Sequence, residues 1–106
     1  MGARIIAAPA AFTRATGTPH WELLLRARAV EDQVFVVAGA QWGTSPDDIE
    51  RHGHALVVDP WGRVLADAGP VDDGLAVADL DLEAVDAVRD RLPSLANRRP
   101  AAYRWP

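Results

Sequence analysis

The chain has 106 residues, is 49% hydrophobic and 25% charged, and carries a formal net charge of −4. That is the size of one domain or part of one with an ordinary globular composition, which excludes a wholly disordered chain. All eleven basic residues are arginine, interspersed with acids as in Arg89-Asp90-Arg91, and there is no cysteine, so nucleic acid is excluded as the default partner and a disulfide framework is absent.

Arg4 to Ala8 is a short apolar run stopped by Pro9, which predicts a buried parallel strand. The run from Ile5 to Phe12 is too short, and too broken by Pro9, for a signal-peptide core. Ile6 stands where a myristoylation signal wants Ser or Thr. A loop of small residues follows, and Thr18 before Pro19 predicts an N-cap and first helical residue. The helix should run to about Gln33, with Trp21, Leu24 and Leu25 on one face and Leu23, Ala27, Val30 and Val34 widening it. So wide an apolar surface implies a large partner layer.

Val34 to Ala40 is continuously apolar and predicts a central strand buried on both faces. Gln41 to His52 reads as a polar loop. His54 to Asp59 and Arg63 to Asp67 read as strands about an Asp59-Pro60-Trp61-Gly62 type I turn. After a second turn, Leu75 to Leu80 predicts another strand. Asp81 then caps a last helix striped by Leu82, Val85, Val88 and Leu92 and ended by Pro93. Residues 93–106 read as an irregular docked tail. No repeat is present, and no apolar run reaches membrane-spanning length. The order is β-α-β, then strands, then α, an α/β class with a mixed sheet. The first strand begins almost at Met1 with no helix ahead to cover it, so the front reads as cut.

Three stretches, Pro9 to Thr13, Thr16 to Ala29 and Gly53 to Gly62, resemble the C-terminal part of the nitrilase-like carbon–nitrogen hydrolases. His20-Trp21-Glu22, Leu25 to Ala29, Asp59 to Gly62 and the late Leu92-Pro93, Arg98-Arg99-Pro100 and Tyr103 are most similar to the deaminated glutathione amidase and omega-amidase branch. The resemblance covers essentially all of this chain but well under half of a family domain. It implies the C-terminal portion of an α-β-β-α sandwich that usually dimerises; the absence of cysteine fits a cytoplasmic protein. The resemblance also implies an amidase in which a glutamate base activates a cysteine nucleophile on a small linear amide and a lysine supports the oxyanion. No cysteine and no lysine stands at any position, so the triad cannot be relocated within the chain. Glu22 and Glu31 do not substitute for the base, because both lie on a segment that follows the nucleophile in the family. Ala55, where the family usually has serine, reads as a tolerable loss.

The candidate substrate-pocket residues are Phe12, Thr13 and Glu22. Phe12 reads as pocket wall. Thr13 sits after a strand end, where α/β folds collect ligand contacts, with a turn-forming hydroxyl as the even alternative. Glu22 reads first as a first-turn acid stabilised by a helix N-terminus. His20, His52 and His54 read as surface or hydrogen-bonded histidines, with no carboxylate or cysteine placed to make a metal site with them, and no cofactor is expected. Arg26, Arg28, Glu31 and Asp32 form a paired helix face. Trp21 and Trp61 read as core or interface, and Arg98-Arg99 with Tyr103 and Trp105 as a docked tail or partner contact. The expectation is an amidase fragment inactive alone. The alternatives are a non-catalytic interaction or dimerisation module and one half of a split amidase.

Overall fold

The computed structural model describes residues 2–103. The readings that involve Met1 and Trp105 lie outside them. The element order is β1 (Ile5–Ala7), α1 (Arg14–Asp32), β2 (Phe35–Ala38), β3 (Trp42–Thr44), β4 (Glu50–His52), β5 (Leu56–Val58), β6 (Val64–Asp67) and α2 (Glu83–Arg91), with a short 3-10 turn at Pro100–Ala102. Four strands form a mixed sheet in the order β1-β2-β5-β6. β1 is parallel to β2, with Ile6 opposite Val36, and the remaining pairs are antiparallel.

Strand alternation sends Val36 and Ala38 of β2, with Val34 just before it and Leu56 and Val58 of β5, toward α1. There they form one buried cluster with Trp21, Leu25 and Ala29, and Ile6, Phe12 and Val64 pack around it. Those three helix residues recur at four-residue spacing, so a single stripe of α1 is buried. Leu23, Leu24 and Val30 face outward and are exposed, so half of the apolar surface expected on this helix has no cover among the described residues.

α1 starts a full turn earlier than Thr18-Pro19 predicts. Thr13 is the N-cap, and its hydroxyl accepts from the Thr16 N–H at 3.5 Å. Pro19 lies inside the helix. It removes the N–H that would bond Ala15 O, and Ala15 is exposed, so water can serve that carbonyl. Gln33 ends the helix in the left-handed region at φ 54°, with its N–H on Ala29 O.

Other expectations are corrected by the sheet. β1 is parallel as expected but is an edge strand with Ile5 exposed, not a buried one. β2 is central, yet Val37 on the face opposite α1 is exposed. The polar stretch 41–52 is not a loop: it folds into the β3–β4 hairpin, with Trp42 opposite His52 and Thr44 opposite Glu50. Residues 75–80 form no strand.

The Asp59-Pro60-Trp61-Gly62 turn closes as the sequence predicts. Gly62 N–H donates to Asp59 O at 2.9 Å, and Gly62 sits at φ 83°, where a side chain would be strained. The Asp59 carboxylate is buried and accepts from the Trp61 and Arg63 N–H groups and from Arg63 Nε.

Of the predicted stripe on α2, Val85 is buried and Val88 half-buried, whereas Leu82 and Leu92, which flank the helix, are exposed. Its cap position is Leu82, and Asp81 Oδ1 accepts the Glu83 N–H from one residue earlier. Arg4 joins α2 to β1 through Asp86 at 2.7 Å and Leu82 O at 3.3 Å, and Arg89 adds a bond to Ala3 O. Gln33 Nε2 donates to Leu92 O at 2.6 Å. Residues 93–103 are exposed. No helix of the described residues is long and apolar enough to cross a membrane.

Candidate functional site

The parallel pair β1 and β2 ends at Ala8–Ala11 and Gly39–Gln41, stitched by Ala10 N–H to Gly39 O at 2.9 Å and Gln41 N–H to Ala10 O at 3.1 Å. A shallow cavity of about 480 Å³ opens there, lined by Pro9, Ala10, Ala11, Gly39, Ala40 and Gln41. The carboxyl ends of parallel strands are where open α/β sheets take their ligands. This lining is small and apolar with one amide side chain, Gln41. It shapes a surface and contains no nucleophile, acid or base.

Phe12 and Thr13 follow directly on that rim. Phe12 turns inward and packs at 5.1 Å and 52° against Trp21, and its carbonyl takes the His52 N–H at 2.9 Å. Thr13 bridges to Arg51, and its hydroxyl is engaged with Thr16 at the helix start, 3.0 Å between the two oxygens. The turn-forming role weighed for Thr13 is therefore present.

Glu22 stands apart from both. Because α1 begins at Arg14, Glu22 is in the third turn, and the first-turn reading fails. It is exposed and pairs with Arg26 at 3.2 Å, while Arg26 Nε donates to Gly62 O at 2.7 Å. Arg28 spans Glu31 and Asp32 at 3.4 and 3.9 Å, completing the paired face that the spacing predicts. Exposed pairs of this kind contribute at most about 1 kcal/mol each.

A second basin, about 420 Å³, lies between the start of α1 and the β3–β4 hairpin, with Arg14, Trp42, Glu50, Arg51, His52 and His54 in its wall. Arg14 pairs with Glu50 at 3.5 Å, which leaves Arg51 as the excess charge in this wall. The rings of His52 and His54 lie 4.7 Å apart, tilted by 30°. His54 Nδ1 is 2.9 Å from Asp67 Oδ2. Burial, and after it the neighbouring His54, lower the His52 pKa; Asp67 pulls the other way. Burial works against the Asp67 charge, but the Gly69 N–H at 2.8 Å and His54 hold its carboxyl below the ordinary carboxylate range. Sequence reading missed this basin because the hairpin that supplies its wall was read as a loop.

Trp21 is core, as expected, and its indole N–H is bonded; Trp61 is exposed, with the Arg91 guanidinium 5.0 Å over its ring.

The pattern of the Carbon-nitrogen hydrolase family matches residues 1–90. The chain is 46% identical over 97 residues to a deaminated glutathione amidase of Synechocystis, covering 92% of this chain and 35% of that protein. It is 46% identical over 104 residues to the deaminated glutathione amidase of Rattus norvegicus, covering 96% and 31%. Among solved structures, the Caenorhabditis elegans NitFhit protein superposes with a TM-score of 0.89 at 44% identity, over 97% of this chain and 25% of that one. Saccharomyces cerevisiae Nit3, a member of branch 10 of the nitrilase superfamily, gives 0.81 at 36% identity, over 92% and 35%. The chain thus spans about a third of the length of the curated relatives it matches. With its mixed sheet and α-β-β-α sandwich relationship, it belongs to the carbon–nitrogen hydrolase family, close to the deaminated glutathione amidase branch.

Proposed function

We propose that this chain is the C-terminal portion of a carbon–nitrogen hydrolase domain whose complete form cleaves a small linear amide, and that the chain alone is catalytically silent. The observation that carries the proposal is a family match along most of a sequence that contains neither cysteine nor lysine. An acyl-transfer amidase needs a thiolate or equivalent nucleophile and a fixed positive group at the developing oxyanion. The cysteine and lysine that supply these in the family are absent from the sequence, and the cavity at the ends of β1 and β2 has no side chain to replace them.

In the complete domain, Phe12 and Thr13 would form the wall beside that cavity, and Glu22 would reach substrate only through loops contributed by the other portion. Residues 93–106 would dock on that portion or on a second subunit of a homo-oligomer. The setting is cytoplasmic, with no metal or other cofactor in the chemistry. A split amidase, with glutamate, lysine and cysteine on a separate chain, is the second reading; the exposed apolar surface of α1 and the open sheet face favour it over a solitary module.

A panel of ω-amides offered to the purified chain tests the silence. No heat-sensitive release of ammonia is expected, and turnover abolished by boiling would overturn the proposal. An immunoblot of the source cell against residues 89–106 separates the readings. A band near the size of a whole hydrolase domain supports the C-terminal portion, and one near 11.4 kDa supports the split enzyme.

A further inference from the structure

The β3–β4 hairpin is a two-stranded sheet of its own, and no residue from 42 to 52 is buried. A hairpin without a core stays in place only through its contacts with the body. Its backbone ties are the His52 N–H on Phe12 O at 2.9 Å and the bridge between Thr13 and Arg51. Its side-chain ties are exposed: Arg51 Nη1 on Ala11 O at 3.3 Å, Arg14 with Glu50 at 3.5 Å, and Trp42 Nε1 on Asp73 Oδ1 at 3.1 Å. Exposed polar ties hold little. The inward packing centres on His52. Its root lies so close to α1 that a Cβ on Gly17 would overlap its Cβ and Cγ, and its ring stands 4.7 Å from that of His54 at a tilt of 30°.

That seat suits a neutral ring. His54 Nδ1 lies 2.9 Å from Asp67 Oδ2, and because a carboxylate only accepts, the nitrogen donates. One carboxylate offsets one imidazolium. A second imidazolium, on His52, would face His54, Arg14 from α1 and Arg51 beside it on β4, while Glu50 is engaged by Arg14. The acids of the loop after β6 are engaged as well, Asp72 by the Asp73 N–H and Asp73 by Trp42. Like charges one ring apart disfavour each other, and outward movement of the hairpin separates them.

We propose that the β3–β4 hairpin is an acid-released flap: when His52 and His54 are both charged, His52 leaves its seat on Gly17 and the hairpin wall of the basin opens, while α1 and the four-stranded sheet stay folded. The flap needs nothing from the rest of a hydrolase domain. Burial, and after it His54, lower the pKa of the seated His52 from 6.5, so the released ring binds more protons than the seated one. Opening is therefore constant above pH 6.5. It grows by up to about tenfold per pH unit as pH falls from 6.5 to the seated value, and levels off below that.

The test is native-state amide exchange on the purified 106-residue chain at pH 7, 6 and 5, with and without low urea, read as protection factors. The His52 N–H should lose up to about tenfold of its protection per pH unit, and low urea should not change that loss, because a local opening exposes little surface. The amides of Phe35, bonded to Arg4 O, and of Leu25 and Ala29 within α1 should remain about a hundredfold better protected and should respond to urea. His52→Phe keeps a ring and His52→Asn a polar group, and neither takes a proton, so in each the residue-52 amide should be level with pH. His54→Asn removes the second charge at a φ of 59°, which asparagine accepts, and should shrink the step. Equal protection and equal urea response at His52 and Phe35 would mean that the hairpin leaves only with the whole fold, and would overturn the proposal. So would a His52 amide indifferent to pH, a full step in both uncharged His52 variants, or a full step in His54→Asn.

Discussion

The Trp21 indole N–H donates to the carbonyl oxygen of His54 at 2.7 Å, from the buried stripe of α1 to the segment that joins β4 to β5. One side chain thus fills the core with its ring and fixes the hairpin layer with its nitrogen. His54 itself sits at φ 59°, so its carbonyl is presented by a residue held in the left-handed region. Trp21→Ala should cost about 3–5 kcal/mol through the cavity it leaves. Trp21→Phe keeps most of the ring and should cost about 1–3 kcal/mol, chiefly by stranding the carbonyl. Urea unfolding of both variants checks this, and equal losses would remove the hydrogen bond from the account.

The Asp59 turn should be equally sensitive for a different reason. Asp59 is 5% exposed and its carboxylate holds two backbone N–H groups and the Arg63 Nε, so each side of the turn leans on one residue. Asp59→Ala leaves those donors in a poorly solvated place and should lower stability by about 2–3 kcal/mol. Gly62→Ala adds a Cβ that would meet Val30 Cγ2 at 2.8 Å, at a φ that alanine disfavours, and should cost about 1 kcal/mol or more. Chemical denaturation reads both. A neutral Gly62→Ala would mean that Val30, on the exposed side of α1, moves aside freely.

These two sites also show why part of the fold was legible. The Asp-Pro-Trp-Gly turn specifies its own geometry within four residues, and β2 and β5 announce themselves as apolar runs. The start of α1 was misplaced because two caps compete in the sequence. Thr18-Pro19 is the stronger local signal, but Thr13 adds bonds to Thr16 and a bridge to Arg51, which lies 38 positions away and is invisible locally. The β3–β4 hairpin was missed because Trp42, Gly43 and Thr44 pair with His52, Arg51 and Glu50 without apolar alternation. The basin around His52 was hidden with it. Residues 75–80 were read as a strand from a real alternation of burial, but no backbone hydrogen bond among the described residues pairs them, so no strand forms. Of the candidate site, Phe12 and Thr13 follow the rim after β1 without lining its cavity, and Glu22 falls in the third turn of α1 and not the first, because its position depended on the helix start.

Acid should weaken the fold in two steps. The folded pKa of His52 is lowered from 6.5, so between the two values the unfolded chain binds more protons than the folded one. That contribution is constant above pH 6.5 and is lost as pH falls from 6.5 to the folded pKa. Asp67 is lowered from 3.8, so its contribution is present above pH 3.8 and is lost as pH falls through its folded value. Urea midpoints should therefore drop between pH 7 and 5 and again below pH 4. His52→Asn should flatten the first drop and leave the second, and Asp67→Asn should do the reverse. If His52→Asn leaves the upper drop intact, His52 is not its source.

The approach of α1 to the hairpin gives the sharpest packing test. Gly17 is buried in the first turn of α1, and a Cβ built there would lie 2.3 Å from His52 Cβ and 2.4 Å from its Cγ. Alanine is the better helix former by about 1 kcal/mol, so on propensity alone Gly17→Ala would stabilise. Overpacking against a side chain root costs about 1–3 kcal/mol and should win, because His52 Cβ is fixed by β4 and by its N–H on Phe12 O at 2.9 Å. The net expectation is a loss of roughly 1 kcal/mol, measured by urea unfolding. His52→Ala leaves the Cβ in place and should recover only part of that loss, whereas His52→Gly removes every clashing atom and should recover most of it. A double-mutant cycle with near-zero coupling in both pairs would mean that the helix start and the hairpin move apart at this point without resistance.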